Sequence, residues 1–193
     1  MLRIGVIGQS GKVDEETLRL AEEMGKEIAS RKAIILTGGT NGVMEAASRG
    51  AKLAGGLVVG LLPGDESQVA NEYVDIPITT GFGFDFRSMV LVHSSDAVVM
   101  IGGGVGTLVE LSAAYMLHKP VIVLEPSSGW AKRVKDIAYE GLYLDHRREN
   151  YPHQLDFAST PKDAFDLILT RAKEVPSAHS TASDTSGDIY PNK

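Results

Sequence analysis

Nine consecutive residues carry the clearest chemical signal in this chain: Gly102-Gly103-Gly104-Val105-Gly106-Thr107-Leu108-Val109-Glu110. They follow the apolar run Ala97–Ile101 and open a segment with helical spacing. The first N–H groups of a helix have no partner within it, and the helix dipole adds positive potential there. Such a start attracts an anion. Glycines let a phosphate come close to the main chain. The same residues permit a second arrangement. Thr107-Leu108-Val109-Glu110 also matches the capping box S/T-x-x-E, in which side chains would occupy those N–H groups. From these residues alone the two arrangements stay open.

A second turn, Thr37-Gly38-Gly39-Thr40-Asn41-Gly42-Val43-Met44-Glu45, has the same design. Thr40 or Asn41 could cap the helix that follows, and Glu45 could complement its positive end. A third turn, Gly8-Gln9-Ser10-Gly11, follows the first apolar run. It does not make a nucleotide-triphosphate loop. The glycine required before Gly11-Lys12 is Val6, and the hydroxyl required after Lys12 for magnesium is Val13. Nor does it make a dinucleotide fingerprint. It is one glycine short, and the second strand ends Leu36-Thr37-Gly38-Gly39 without an acid for the ribose hydroxyls. Arg87, in Phe82-Gly83-Phe84-Asp85-Phe86-Arg87, matters only if it points at these turns; an arginine among phenylalanines is ordinarily a surface or packing residue.

Other chemistries are excluded or unsupported. With no cysteine in 193 residues, thiolate zinc, iron–sulfur ligation and cysteine catalysis are ruled out. His93, His118, His146, His153 and His179 lack metal-ligand spacing, so no metal site is expected. There is no G-x-S-x-G elbow. The net charge of −6 disfavours a nucleic-acid polymer or an anionic membrane as partner. No apolar run approaches the ~20 residues needed to span a bilayer, and the N-terminus carries no targeting signal. A cytoplasmic location is the expectation.

The elements that must position these turns are readable from periodicity. Leu2–Ile7, Ala33–Thr37, Leu57–Leu62, Ala97–Ile101 and Pro120–Leu124 are apolar on both faces, as in a parallel sheet covered on both sides. Tyr73–Ile78 and Leu155–Ala158 read as weaker edge strands. Helical spacing runs over 14–31, 43–54, 84–93, 107–117, 130–139 and 161–172. In 43–54 the repeating face is small (Ala46, Ala47, Gly50, Ala51), which predicts close packing on the sheet. Repeated β-α-β units give an α/β, doubly wound, mostly parallel sheet of about six or seven strands with helices on both faces. Ligands bind at the carboxyl ends of such strands, where all three glycine turns fall. Residues 1–175 are expected to form one domain, and 176–193, rich in Ser, Thr, Asp and Pro, a flexible tail.

The stretch from Arg87-Ser88-Met89 through Gly103-Gly104-Val105-Gly106-Thr107-Leu108-Val109-Glu110 resembles the cytokinin-activating phosphoribohydrolase (LONELY GUY) superfamily. Its hallmark is P-G-G-x-G-T-x-x-E with an upstream arginine. Gly38-Gly39 with Gly42-Val43-Met44 is similar to its first glycine motif, and the resemblance spans residues 2 to 172. Three positions depart from the pattern: Gly102 replaces the proline, Glu45 the last glycine of G-L-M-G, and Ser88 the lysine after the arginine. These departures look more like the branch that contains molybdenum-cofactor carrier proteins.

The resemblance implies a Rossmann-like fold and a homo-oligomer, dimer or tetramer. It implies a small phosphorylated ligand, a nucleoside monophosphate or the molybdenum cofactor, and no required cofactor. Gly103, Gly104, Gly106 and Thr107 would hold the phosphate, and Arg87 and Glu110 would match the catalytic pair. Gly8, Ser10, Gly38, Gly39, Thr40, Asn41, Gly42 and Gly102, at the other strand ends, complete the candidate ligand site, with Glu45 as a possible addition. Two readings follow. One is hydrolysis of the N-glycosidic bond of a nucleoside 5′-monophosphate, and not lysine decarboxylation. The other is a non-catalytic carrier of a phosphorylated heterocycle.

Overall fold

The structure, a computed structural model, describes residues 1–147 and 153–174. The expected tail lies outside the described residues. Seven strands form one sheet: β1 (Arg3–Ile7), β2 (Ile34–Thr37), β3 (Val58–Leu62), β4 (Ile76–Thr79), β5 (Ala97–Met100), β6 (Val121–Leu124) and β7 (Asp156–Ala158). Their order is β4-β3-β2-β1-β5-β6-β7, and every pair is parallel. Strand order reverses at β1, which pairs with β2 on one side and β5 on the other. The crevice above that reversal is where doubly wound sheets bind ligands.

Helices α1 (Glu15–Ser30), α2 (Val43–Leu53) and α6 (Pro161–Glu174) cover one face of the sheet, burying Ile4, Val6 and Val99 against Met24, Ala47 and Phe165. Helices α3 (Gly83–Ser94) and α4 (Val105–Met116) cover the other, burying Ile7, Val98 and Val123 against Leu91 and Leu111. Each such fully buried aliphatic side chain contributes about 2 kcal/mol of transfer free energy. Burial on both faces explains why the inner strands lack polar alternation. The weaker strands, β4 and β7, are the edges.

Four local differences from the sequence expectation have physical causes. The segment expected to be helical over 130–139 contains only α5 (Val134–Ile137). The Trp130 and Ala131 amides donate to the carbonyls of Gly103 and Gly102, which holds this stretch against the glycine turn, and residues 130–133 close as turns on the Trp130 carbonyl. β4 starts at Ile76 because Asn71 binds the chain before it: its carboxamide oxygen accepts from the Tyr73 amide, and the Val74 amide donates to its carbonyl. The small face of α2 makes its tightest approach to α1, not only to the sheet. A Cβ on Gly25 would stand 2.0 Å from the Ala47 carbonyl oxygen, and one on Gly50 1.9 Å from that of Glu22. Finally, α4 begins at Val105, two residues before the expected start.

Candidate functional site

The early start of α4 removes the capping box. Gly104 is the N-cap and makes no side-chain cap, and Thr107 lies inside the first turn. Glu110, which a capping box would turn back toward that start, accepts a hydrogen bond from the Ser88 hydroxyl at 2.8 Å. Among the described residues no acceptor meets the amides of Gly104, Val105, Gly106 and Thr107; the first helical bond runs from Leu108 to the Gly104 carbonyl. The mouth of α4 is therefore open, with four donors and the positive end of a three-turn helix facing outward.

That mouth forms one wall of a cleft of about 350 Å³ at the carboxyl ends of β1, β2 and β5. Gly104, Gly106 and Thr107 line it from α4, Gly8, Gln9 and Ser10 from the turn after β1, and Thr40 and Met44 from the turn after β2. The first turns of α3 contribute Phe84, Asp85, Arg87 and Ser88, and Glu110 completes the lining. The topology thus brings together Gly8, Ser10, Thr40, Arg87, Gly104, Gly106, Thr107 and Glu110 from turns far apart in sequence.

Arg87 is 6% exposed, and its guanidinium makes no hydrogen bond or ion pair among the described residues; its Nε is buried without a partner. Burial pushes its pKa below the ordinary value, and the charge of Glu110 partly restores it. Glu110 is equally buried. Burial pushes its carboxyl above the ordinary range, opposed by the Ser88 hydroxyl and by Arg87. Neither is a surface residue, which removes the surface half of the ordinary reading of an arginine among phenylalanines and leaves packing or a site role. Burying a charge without a counter-ion in contact costs several kcal/mol.

The remaining candidates take supporting places and do not line this cleft. Gly38 lies beneath the arginine: a Cβ there would stand 2.0 Å from Arg87 Nη1. Gly39 has φ of +72° and donates its amide to Thr37 Oγ1 at 3.0 Å. Neither Thr40 nor Asn41 caps α2, because Gly42 is its N-cap. Asn41 instead accepts from the Gly11 amide at 2.9 Å, and the Val43 amide donates to the Gln9 carbonyl, tying two turns together. Asn41, Gly42 and Glu45 line a separate depression with Arg49. Gly102 and Gly103 are buried behind the mouth of α4; the Gly102 amide and both carbonyls bond to the loop after β6. Among the described residues no group of His, Asp or Glu is gathered as a metal site. No described helix is long and apolar enough to cross a membrane.

Gln9, Met44, Phe84, Asp85 and Ser88 also line the cleft, though the sequence assigned them no role. Ser88 was the most accessible of these, since it occupies the position after the arginine where the resembled family has lysine.

Residues 1–157 match the family model described as the SLOG cluster4 family. The chain belongs to that family, within the superfamily that holds both phosphoribohydrolases and molybdenum-cofactor carriers. A cytokinin riboside 5′-monophosphate phosphoribohydrolase of Mycobacterium tuberculosis is 33% identical over 120 residues, 58% of this chain and 64% of that protein. The molybdenum cofactor binding protein of Rippkaea orientalis has a similar structure, with TM-score 0.74 and 35% identity over 88% of this chain and 96% of that one. The molybdenum cofactor carrier protein of Chlamydomonas reinhardtii gives TM-score 0.73 and 31% identity over 90% and 99%. The Rossmann-like α/β fold expected from the resemblance is the fold observed.

Proposed function

We propose that the cleft binds a nucleoside 5′-monophosphate by its phosphate and hydrolyses the N-glycosidic bond to free base and ribose 5-phosphate. The observation that carries this reading is the open mouth of α4 beside a buried, unpaired Arg87 and a buried Glu110. The phosphate sits on the amides of Gly104, Gly106 and Thr107. Arg87 supplies the countercharge, and no metal is required. Rupture of an N-glycosidic bond develops oxocarbenium character on the sugar, as in glycoside hydrolysis. Ser88 engages Glu110 Oε1, leaving the other carboxylate oxygen to face that charge or to orient the attacking water. Anchoring the remote phosphate holds the reacting carbon in place against Glu110.

The carrier reading is supported by two observations. Both molybdenum-cofactor proteins align over nearly their whole length. Ser88, a neutral group, stands where the resembled hydrolases carry a cation. A carrier uses the same phosphate anchor without demanding an ionised Glu110. The exposed apolar residues Val105, Val109 and Met116 along α4 support self-association, giving a homo-oligomer.

Incubation of the full chain with a panel of nucleoside monophosphates, with detection of free base, separates the readings. Hydrolysis requires base release that Glu110→Gln abolishes while nucleotide binding survives. Tight binding with no base release by the native chain rejects hydrolysis and leaves the carrier. Absence of any phosphate-ligand binding rejects both.

A further inference from the structure

The glycine turn is held from behind by residues outside both the motif and the cleft lining. In the loop between β6 and α5, Ser127 is fully buried. Its Oγ accepts from the Gly102 amide at 2.9 Å and donates to the Leu124 carbonyl at 2.5 Å. The Trp130 amide donates to the Gly103 carbonyl at 3.1 Å, and the Ala131 amide to the Gly102 carbonyl at 2.9 Å. Between them, Gly129 has φ of +62°, and a Cβ there would stand 2.5 Å from the Gly103 oxygen. The loop is anchored in turn to α1: the Ser128 amide donates to Thr17 Oγ1 at 3.0 Å and its hydroxyl to Asp14 at 2.5 Å.

Peptide planarity turns this clamp into an aiming device. The carbonyl of one residue and the amide of the next share one rigid plane and point in opposite directions when the bond is trans, as these are. Pulling the Gly103 oxygen toward Trp130 therefore drives the Gly104 N–H the other way, out of the back of the turn. The Gly102 oxygen held by Ala131 does the same for the Gly103 N–H. Gly102 and Gly103 have φ of +64° and +114°, and glycine pairs are the backbone most free to rotate. An unclamped plane could turn over and present a carbonyl oxygen, which repels an anion.

We infer that Ser127 and the loop behind it are a positioning device that aims amides rather than carbonyls at the ligand entering the mouth of α4. This inference rests on the phosphate reading of that mouth, and its test separates the two.

The variant is Ser127→Ala in the full chain, with Gly129→Ala as a second route to the same displacement. Inorganic phosphate and AMP are titrated by calorimetry. In parallel, hydrogen exchange of the Trp130 and Ala131 amides reports the clamp directly, without ligand. The expected result is a folded Ser127→Ala protein with roughly tenfold weaker binding of both probes, the loss of about one well-aimed hydrogen bond to a charge. Its Trp130 and Ala131 amides exchange faster than in the native chain. A lower melting temperature with unchanged affinity and unchanged exchange overturns the inference, because a merely structural serine would give that pattern. If the native chain binds neither probe, the phosphate reading falls. Unchanged exchange in the variant would then overturn the clamp independently. Should Ser127→Ala fail to fold, Gly129→Ala with native affinity and native exchange overturns the inference.

Discussion

Replacing Arg87 by methionine tests whether the guanidinium is held for a ligand or for the fold. Methionine keeps the unbranched stem and removes the charge. In the ligand-free protein the buried guanidinium has lost most of its hydration and has no contact partner. Its desolvation costs several kcal/mol. The offset comes from the charge of Glu110; at an effective dielectric of about 20 a pair in contact at about 4 Å gains about 4 kcal/mol, and one beyond contact gains less. Glu110, already held above its ordinary range, takes up a proton in the variant rather than stand as an isolated charge. The net expectation is that Arg87→Met stabilises the empty protein by about 1–3 kcal/mol, which raises Tm by roughly 2–10 °C for a chain of this length. Ligand works against that difference. At one hundred times Kd a ligand stabilises the native chain by about 2.7 kcal/mol, and the variant, having lost its countercharge, gains little. Thermal denaturation with and without AMP reads both effects in one experiment. A variant that melts below the native chain when empty, and is stabilised equally by AMP, refutes the reasoning: the arginine would then be a structural residue.

Three further outcomes are expected. Because Glu110 has a folded pKa above 4.5, the native state retains its proton longer than the unfolded state, so stability is full below 4.5 and falls as pH rises through the folded value. Relative to Glu110→Gln, the native chain should lose stability steadily as pH is raised above 4.5, and parallel denaturation curves would contradict this. Gly38→Ala places a methyl 2.0 Å from Arg87 Nη1 and 2.5 Å from Met44 Sδ, so calorimetry should show phosphate affinity reduced at least about tenfold in a protein with native circular dichroism. Gly50→Ala, with its Cβ 1.9 Å from the Glu22 carbonyl, should force α1 and α2 apart and cost about 1–3 kcal/mol in urea denaturation, with no selective effect on ligand affinity.

The alternation of two-sided apolar runs, glycine turns and helical spacing was enough to establish a doubly wound parallel sheet, because burial on both faces of a strand removes polar alternation from the sequence itself. The same pattern placed all three glycine turns at strand ends. Where α4 begins was not legible. Thr107-Leu108-Val109-Glu110 is compatible with a cap or an open mouth, and only the Ser88 hydroxyl, brought across from α3, draws Glu110 away from the helix start. The separation of Glu45 from the cleft depends likewise on the bond between Asn41 and the Gly11 amide, thirty residues apart.

By itself, then, the order of residues determined the layers, the positions of the turns and the types of group available, all of which follow from local periodicity and backbone freedom. Tertiary structure decided which of those groups meet. Arg87 is a lone arginine among phenylalanines until the sheet brings Gly38 beneath it and Glu110 nearby. Ser127 and Gly129 are ordinary loop residues until β6 sets their loop against the back of the glycine turn. Contacts between segments distant in sequence leave no periodic trace in the chain, so partnership and desolvation become visible only once the fold has closed.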